Sequence, residues 1–135
     1  MERDYECFDA NKRIGYKSKG EEQIARLFDR EGFSYNYEQA MAVVDRGKTK
    51  IWYPDFWLRD FGMIIEYFGI NGKRSYDEQA RHKMDVYKQN GIEGLFLKED
   101  CFRGDWPGRI VGQIEDVLKG RLQRFYNRSN KSMYG

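Results

Sequence analysis

The stretch that decides the fold covers residues 51–68 and reads IWYPDFWLRDFGMIIEYF. Its first part, 51–58, is rich in aromatic side chains, and its last part belongs to an apolar run over 63–70 that Glu66 interrupts. The residues between them, RDFG at 59–62, have the polar and glycine content of a turn. The stretch therefore predicts two antiparallel strands joined by a short turn.

Helical and extended patterns alternate on both sides of this hairpin. Ser18-Lys19-Gly20-Glu21 matches a capping box and precedes apolar residues at helical spacing, which predicts a helix over 19–31. The other predicted elements are, in chain order, a strand leading to a turn at 45–48, a helix from Tyr76 to the Asn90-Gly91 stop, a strand over 92–97 and an amphipathic helix after Pro107. The predicted fold class is α/β (α+β), in the order helix, three antiparallel strands, helix, strand, helix.

Length and composition bound the architecture. The chain has 135 residues, of which 40% are hydrophobic and 16% aromatic, enough for one core and too few for two ordinary domains. We predict a leader or edge segment over 1–17, a single domain over 18–125 and a basic, flexible tail over 126–135. Two cysteines make no disulfide framework or zinc pattern, and no signal peptide or membrane span is evident, so we expect a cytoplasmic, intracellular protein with no membrane partner.

The distribution of charge along the chain is more informative about a binding partner than the net charge. A formal net charge of +2 neither demands nor excludes a polyanionic partner. The stretch 119–131, however, contains basic residues and no acidic one. It is either a basic binding strip or a solvated helix flank with a frayed tail, and the sequence leaves both interpretations open.

Glu66 is the most informative residue, because its neighbours are those of a buried strand. A buried carboxylate is costly unless a cation or a metal accompanies it. Asp55 lies on the preceding strand, and a turn near residue 60 brings both carboxylates to the same end of the sheet. Mg²⁺ takes oxygen ligands at about 2.1 Å, commonly one or two carboxylates with waters. The pair therefore predicts a divalent-metal site, and the alternative is two ordinary edge acids or a glutamate paired with an arginine.

At these residues the sequence resembles a known family. The motif consists of Tyr53-Pro54-Asp55-Phe56 and Ile64-Ile65-Glu66-Tyr67-Phe68-Gly69, with ten residues between Asp55 and Glu66. It resembles the motif of the PD-(D/E)xK nuclease superfamily. The predicted element order matches that superfamily over 18–98. The resemblance implies a restriction-endonuclease-like α-β-β-β-α-β core, with a central mixed sheet flanked by helices and an additional C-terminal helix. It also implies hydrolysis of DNA phosphodiester bonds with Mg²⁺, or Mn²⁺ in its place, and no small-molecule cofactor.

One motif position departs from the family. The motif lysine should stand two residues after Glu66, where this chain has Phe68. Some members of the superfamily carry that lysine on the following helix, and Lys83 fits, seven residues after Tyr76 and four before Tyr87. A lysine snorkelling at the edge of the apolar face is the structural alternative. Weaker substitutes for the lysine are Lys73, His82 and Lys88.

The resemblance suggests further site residues. It implies that the backbone carbonyl of Tyr67 is a third metal ligand and that a glutamate of the first helix, Glu21, binds water or a second ion. Glu21 shares the helix face of Ile24 and Phe28, yet it also completes the capping box, which would explain it fully. Both interpretations stay open. The lesser candidates for this glutamate are Glu22 and Glu38.

Substrate contacts are predicted from basic residues assigned to loops. These residues, which could bind DNA phosphates without reading sequence, are Lys48, Lys50, Lys73 and Arg74. A single small domain would cut one strand at a time, so double-strand cleavage implies a homodimer. Three alternatives remain: a Holliday-junction or other structure-selective resolvase of the same fold, a catalytically inactive nucleic-acid-binding protein, which Phe68 favours, and an unrelated α/β interaction domain.

Overall fold

The computed structural model of the chain describes residues 15–69 and 74–134, so most of the predicted leader, and Lys73, lie outside the described residues. The helices are Lys19–Glu31 (α1), Arg74–Gln89 (α2) and Trp106–Tyr134 (α3). The strands are Tyr35–Tyr37 (β1), Met41–Asp45 (β2), Lys48–Trp52 (β3), Phe56–Leu58 (β4), Met63–Phe68 (β5) and Glu93–Lys98 (β6), and a short 3₁₀ turn covers Glu99–Cys101. The predicted mixed α/β class is confirmed.

The main sheet has four strands in the order β1-β4-β5-β6. Strand β4 is antiparallel to both β1 and β5, whereas β6 is parallel to β5. A parallel neighbour requires a crossover connection, and α2 supplies it. Because β5 has a neighbour on each side, it is an inner strand, which explains why its sequence is almost entirely apolar.

The strand count differs from the prediction of three strands before the second helix. The predicted first strand is divided into β1 and β2, and the strand predicted over 51–58 is divided between β3 and β4; β2 and β3 pair as a separate two-stranded hairpin. Glu38 has a left-handed backbone, with φ of 54°, and ends β1, while Pro54, which lacks a backbone N–H, lies between β3 and β4. Arg46 and Gly47 both have positive φ, as a tight hairpin turn requires, so the turn predicted at 45–48 is confirmed.

Two clusters of buried side chains cover the two faces of the main sheet. On one face, Phe28 of α1 contacts Tyr35 and Phe56, with ring centroids 5.7 and 5.3 Å apart. On the other face, Ile64 of β5 packs with Val43 of the hairpin and with Val86 and Tyr87 of α2. Alternation along β5 sends Ile64 and Glu66 to this second face, so Glu66 lies on the side of the sheet that α2 covers.

Polar contacts attach the β2–β3 hairpin to α2. The Asn90 side chain accepts a hydrogen bond from the backbone N–H of Val44 at 2.8 Å and donates to its carbonyl at 2.9 Å. Asp45, which is buried, lies 2.9 Å from His82 Nε2 and 3.0 Å from Lys50 Nζ. These two neighbours lower the pKa of Asp45, first through the hydrogen bond with His82 and then through that with Lys50. The hairpin is therefore fixed to the helix that carries Lys83.

The chain divides into two compact units, Met1–Glu99 and Asp100–Gly135, where the sequence predicts one domain over 18–125. In the second unit, Asp105 accepts a hydrogen bond from the backbone N–H of Gly108 and so caps α3. Helix α3 continues to Tyr134 through the residues predicted as a flexible tail, and the basic stretch 119–131 is helical. Within the described residues, no helix combines the length and apolar character of a membrane span.

Gly20 lies in close contact with the side chain of Tyr67. A methyl group at this position would lie 2.6 Å from the hydroxyl oxygen of Tyr67 and closer still to its ring. We expect Gly20→Ala to lower the free energy of unfolding by about 1 kcal/mol, although alanine is the better helix former. Chemical denaturation of the two proteins measures the difference.

Gly112→Ala is the matched control, because nothing lies within 4 Å of a methyl group added at that position in α3. We expect this variant to be as stable as the parent or more stable. The double variant Gly20→Ala, Tyr67→Ala should lose less than the sum of its single changes. A stabilising effect of Gly20→Ala alone would contradict the close approach.

Candidate metal centre

Strand register places Asp55 and Glu66 opposite each other. Phe56 pairs with Ile65 across β4 and β5, and Asp55 and Glu66 are the next residues beyond that pair. Residues paired across antiparallel strands send their side chains to the same face of the sheet. Asp55 directly precedes β4 rather than lying within it, and Glu66 lies on the inner strand β5. The alternative of two ordinary edge acids does not fit this placement.

Each carboxylate of this pair accepts a hydrogen bond from the backbone of the other strand. The Asp55 backbone N–H donates to Glu66 Oε1, and the Tyr67 backbone N–H donates to Asp55 Oδ2, both at 2.7 Å. The backbone N–H of Glu38 also donates to the Asp55 carbonyl at 3.0 Å. These bonds leave Asp55 Oδ1 and Glu66 Oε2 as the oxygens that can meet a cation.

Both carboxylates are nearly inaccessible to solvent, with 8% of Asp55 and 3% of Glu66 exposed. Burial, and secondly the negative charge of Glu66, raise the pKa of Asp55 from 3.8 to about 7. Burial likewise raises the pKa of Glu66, against the lowering effects of its hydrogen bond from Asp55 and of the nearby Lys83. The fold thus holds two acids whose ionisation is unfavourable without a positive partner.

Two lysines supply positive charge at the pair. Lys83 Nζ of α2 lies 3.7 Å from Glu66 Oε2, and about half of its side chain is exposed. Lys17 Nζ lies 3.6 Å from Asp55 Oδ1 and 4.0 Å from Glu38 Oε2. Although burial opposes it, the charges of Asp55 and Glu38 raise the pKa of Lys17. Sequence analysis selected Lys83 and missed Lys17, which lies in a segment of mixed charge without a period.

Phe68, which stands where the motif lysine is expected, is a core residue. Its ring stacks on Phe96 of β6, with centroids 6.1 Å apart and an angle of 13° between the planes. Only 7% of Phe68 is exposed. Phe68 therefore supplies no charge at the carboxylate pair, and the lysines near the pair come from other elements.

Glu21 lies close enough for its charge to raise the pKa values of Asp55 and Glu66. Its own oxygens bind two hydroxyl groups: Ser18 Oγ donates to Oε2 at 3.0 Å and Tyr37 donates to Oε1 at 2.8 Å. The Glu21 backbone N–H donates to Ser18 Oγ, as the capping box predicts. Glu21 therefore takes part in the predicted cap and lies beside the carboxylate pair, while its binding of water or a second ion stays a prediction.

Other candidates from the sequence lie elsewhere. Lys48 and Lys50 are on β3 and not in loops, because the hairpin turn is only two residues long; Lys48 is exposed, whereas Lys50 contacts Asp45. Arg74 is the first residue of α2, and Lys73 lies outside the described residues. Glu38 follows β1 and is not on a strand, and Glu22 forms a surface ion pair with Arg26.

The donor set fits a Mg²⁺ or Mn²⁺ ion. Asp55 Oδ1 lies 3.6 Å from the Lys17 ammonium, and Glu66 Oε2 lies 3.7 Å from the Lys83 ammonium. Within the described ranges, no three His, Cys, Asp or Glu side chains are grouped to hold one ion. The protein's share of carboxylate ligands would thus be these two, a number that Mg²⁺ commonly accepts when waters and substrate complete its shell.

Comparisons of the chain with protein-family models, with curated proteins and with solved structures each find no match. The function proposed below is therefore supported by the geometry of the site and by the resemblance of its motif.

The raised pKa of Asp55 predicts a pH dependence of stability in metal-free protein. Because the folded state holds this proton more firmly than the unfolded state, the resulting stabilisation is complete below pH 3.8 and is lost as pH rises through about 7. We expect Asp55→Asn, measured in EDTA, to be about 1–3 kcal/mol more stable than the parent at pH 8 and to lose less stability between pH 5 and pH 8.

Asp60→Asn is the control, because Asp60 is exposed in the turn between β4 and β5. Its pH dependence should follow the parent. If the metal-free Asp55→Asn protein unfolds at a lower temperature than the parent at pH 8, the raised pKa is wrong.

Proposed function

We propose that this protein is a divalent-metal-dependent endonuclease that hydrolyses phosphodiester bonds in DNA. The observation that carries the proposal is the juxtaposition of the buried Asp55 and Glu66 with the Lys83 ammonium, 3.7 Å from Glu66 Oε2. Two desolvated acids and a lysine form an unfavourable arrangement for stability alone. They are the residue types that phosphodiester hydrolysis requires.

The order and direction of the elements support the same proposal. A helix, antiparallel strands ending in the inner β5, a crossover helix and the parallel β6 are what the resemblance to the PD-(D/E)xK superfamily implies. Asp55 directly precedes β4 and Glu66 lies in the second half of β5, so both motif residues are at one end of the sheet. DNA as the substrate follows from the resemblance, and the exposed Arg46 and Lys48 at the hairpin turn supply positive charge for phosphates.

The proposed roles divide among the chain's own residues. Asp55 Oδ1 and Glu66 Oε2 would hold the ion, with the backbone carbonyl of Tyr67 as a further ligand by resemblance. When bound, Mg²⁺ would act as a Lewis acid and make water a stronger nucleophile at neutral pH. Lys83 Nζ would donate a hydrogen bond to the attacking water and offset charge on the phosphate. The exposure of Lys83 leaves its ammonium accessible to substrate.

A second candidate is a nucleic-acid-binding protein that keeps this fold without catalysis. Phe68 favours it, because the strand position of the motif lysine is given over to the stack with Phe96. The two candidates differ at Lys83: catalysis needs its ammonium, whereas binding without catalysis does not.

The decisive assay measures cleavage of duplex, single-stranded and junction DNA with Mg²⁺ or Mn²⁺ and with EDTA. We expect cleavage with metal, and a loss of at least about a hundredfold in Asp55→Asn, Glu66→Gln and Lys83→Gln, since each removes several kcal/mol of transition-state stabilisation. Lys88→Gln is the matched control, an exposed lysine on the same helix. Metal-independent binding of DNA without cleavage of any substrate would favour the non-catalytic candidate, and activity that survives Asp55→Asn and Glu66→Gln would refute the site.

A separate pair of variants distinguishes the two roles of Glu21. Ser18→Ala removes the helix cap and should cost about 1 kcal/mol of stability while leaving the Glu21 charge in place. Glu21→Gln retains hydrogen-bonding groups for Ser18 and Tyr37 but removes the charge, so we expect near-parental stability and at least about a tenfold loss of cleavage. Thermal unfolding and initial rates, measured on both variants, make the comparison. Full cleavage by Glu21→Gln would mean that Glu21 serves the cap alone.

A further inference from the structure

Lys17 lies over the one Asp55 oxygen that the backbone leaves available. Asp55 Oδ2 accepts the Tyr67 backbone N–H, whereas Oδ1 faces the Lys17 ammonium at 3.6 Å. The same ammonium lies 4.0 Å from Glu38 Oε2. Both separations are ion-pair contacts rather than hydrogen bonds, so the ammonium lies close to these carboxylates without being tightly bound to either.

The backbone of Lys17 is fixed although its side chain is not. The Lys17 backbone N–H donates to the Tyr37 hydroxyl at 3.1 Å, and that hydroxyl donates to Glu21 Oε1 at 2.8 Å. The side chain of Lys17 is 58% exposed. A lysine side chain has a flexible stem of four carbons, so the ammonium can leave Asp55 while the start of α1 stays in place.

We propose that Lys17 balances the charge of Asp55 in the metal-free protein, withdraws from Oδ1 when a divalent ion binds, and then contacts a substrate phosphate. This inference rests on the proposed function. It follows from the geometry, because the Lys17 ammonium and an ion bound to Asp55 Oδ1 would be like charges within a few ångströms of each other. The withdrawn ammonium remains tethered beside the site, where the phosphate that is cut must lie.

The two lysines at the carboxylate pair therefore differ in role. Lys83 extends from α2 toward Glu66, and Lys17 extends from the residue before the Ser18 cap toward Asp55. Removing the Lys17 charge should strengthen metal binding and weaken substrate binding. A lysine that merely supported the fold would not produce these opposite effects.

The test compares Mn²⁺ binding by isothermal titration calorimetry, without DNA, in the parent, Lys17→Gln and Lys19→Gln. Lys19 is the matched control, an exposed lysine two residues further along. We expect Lys17→Gln to bind Mn²⁺ about twofold to fivefold more tightly, the range for a partly exposed ion pair, and Lys19→Gln to match the parent. Lys17→Arg, which keeps the charge, should bind Mn²⁺ like the parent.

Steady-state cleavage then tests the phosphate contact. We expect Lys17→Gln to raise KM for DNA about threefold to tenfold with a smaller effect on kcat, and Lys17→Arg to restore much of KM. An unchanged KM would overturn the phosphate contact. Thermal unfolding of each variant establishes that it is folded before either comparison.

The outcomes separate this inference from the proposed function. If the parent protein does not bind Mn²⁺, both fail together. If the parent binds Mn²⁺ and Lys17→Gln binds it with equal or lower affinity, the proposed metal centre stands and the role of Lys17 is overturned.

Discussion

The structure depends on two reciprocal hydrogen bonds between β4 and β5. The amide of Asp55 donates to Glu66, and the amide of Tyr67 donates to Asp55, so each acid is held by the strand that carries the other. Charge-assisted bonds of this kind replace part of the water that both carboxylates lose on burial. They also orient the two remaining oxygens toward Lys17 and Lys83. The register of one strand pair thereby determines the geometry of the whole candidate centre.

The proximity of Asp55 and Glu66 could be predicted from the sequence, because in a hairpin the number of residues from the turn determines which residues lie opposite each other. The turn at 59–62 fixes the register, and alternation fixes the face. The division of the predicted strands was harder to predict, because Glu38 adopts a left-handed backbone that its residue type does not suggest. The contact of Lys17 with Asp55 depends on how the start of α1 packs beside Tyr37 and Tyr67, and no local pattern records such packing.

The centre concentrates unfavourable electrostatics in an otherwise apolar fold. Asp55 and Glu66 lose hydration and repel each other, while the packing of Phe28, Phe56 and Ile64 offsets this cost elsewhere in the first unit. Glu21 adds a third negative charge, held in place by Ser18 and Tyr37. Under the proposed function, such an arrangement would exchange stability for chemistry, as functional sites commonly do.

The stack of Phe68 on Phe96 has a consequence for the order in which the centre is assembled. A lysine at position 68 would accompany Glu66 by strand geometry alone, in any state that contained β5. The Lys83 ammonium instead reaches Glu66 only while Val86 and Tyr87 hold α2 against Ile64. A partly folded chain that contained β5 would hold Asp55 and Glu66 together without Lys83. The proposed activity would then be absent until α2 had packed against the sheet.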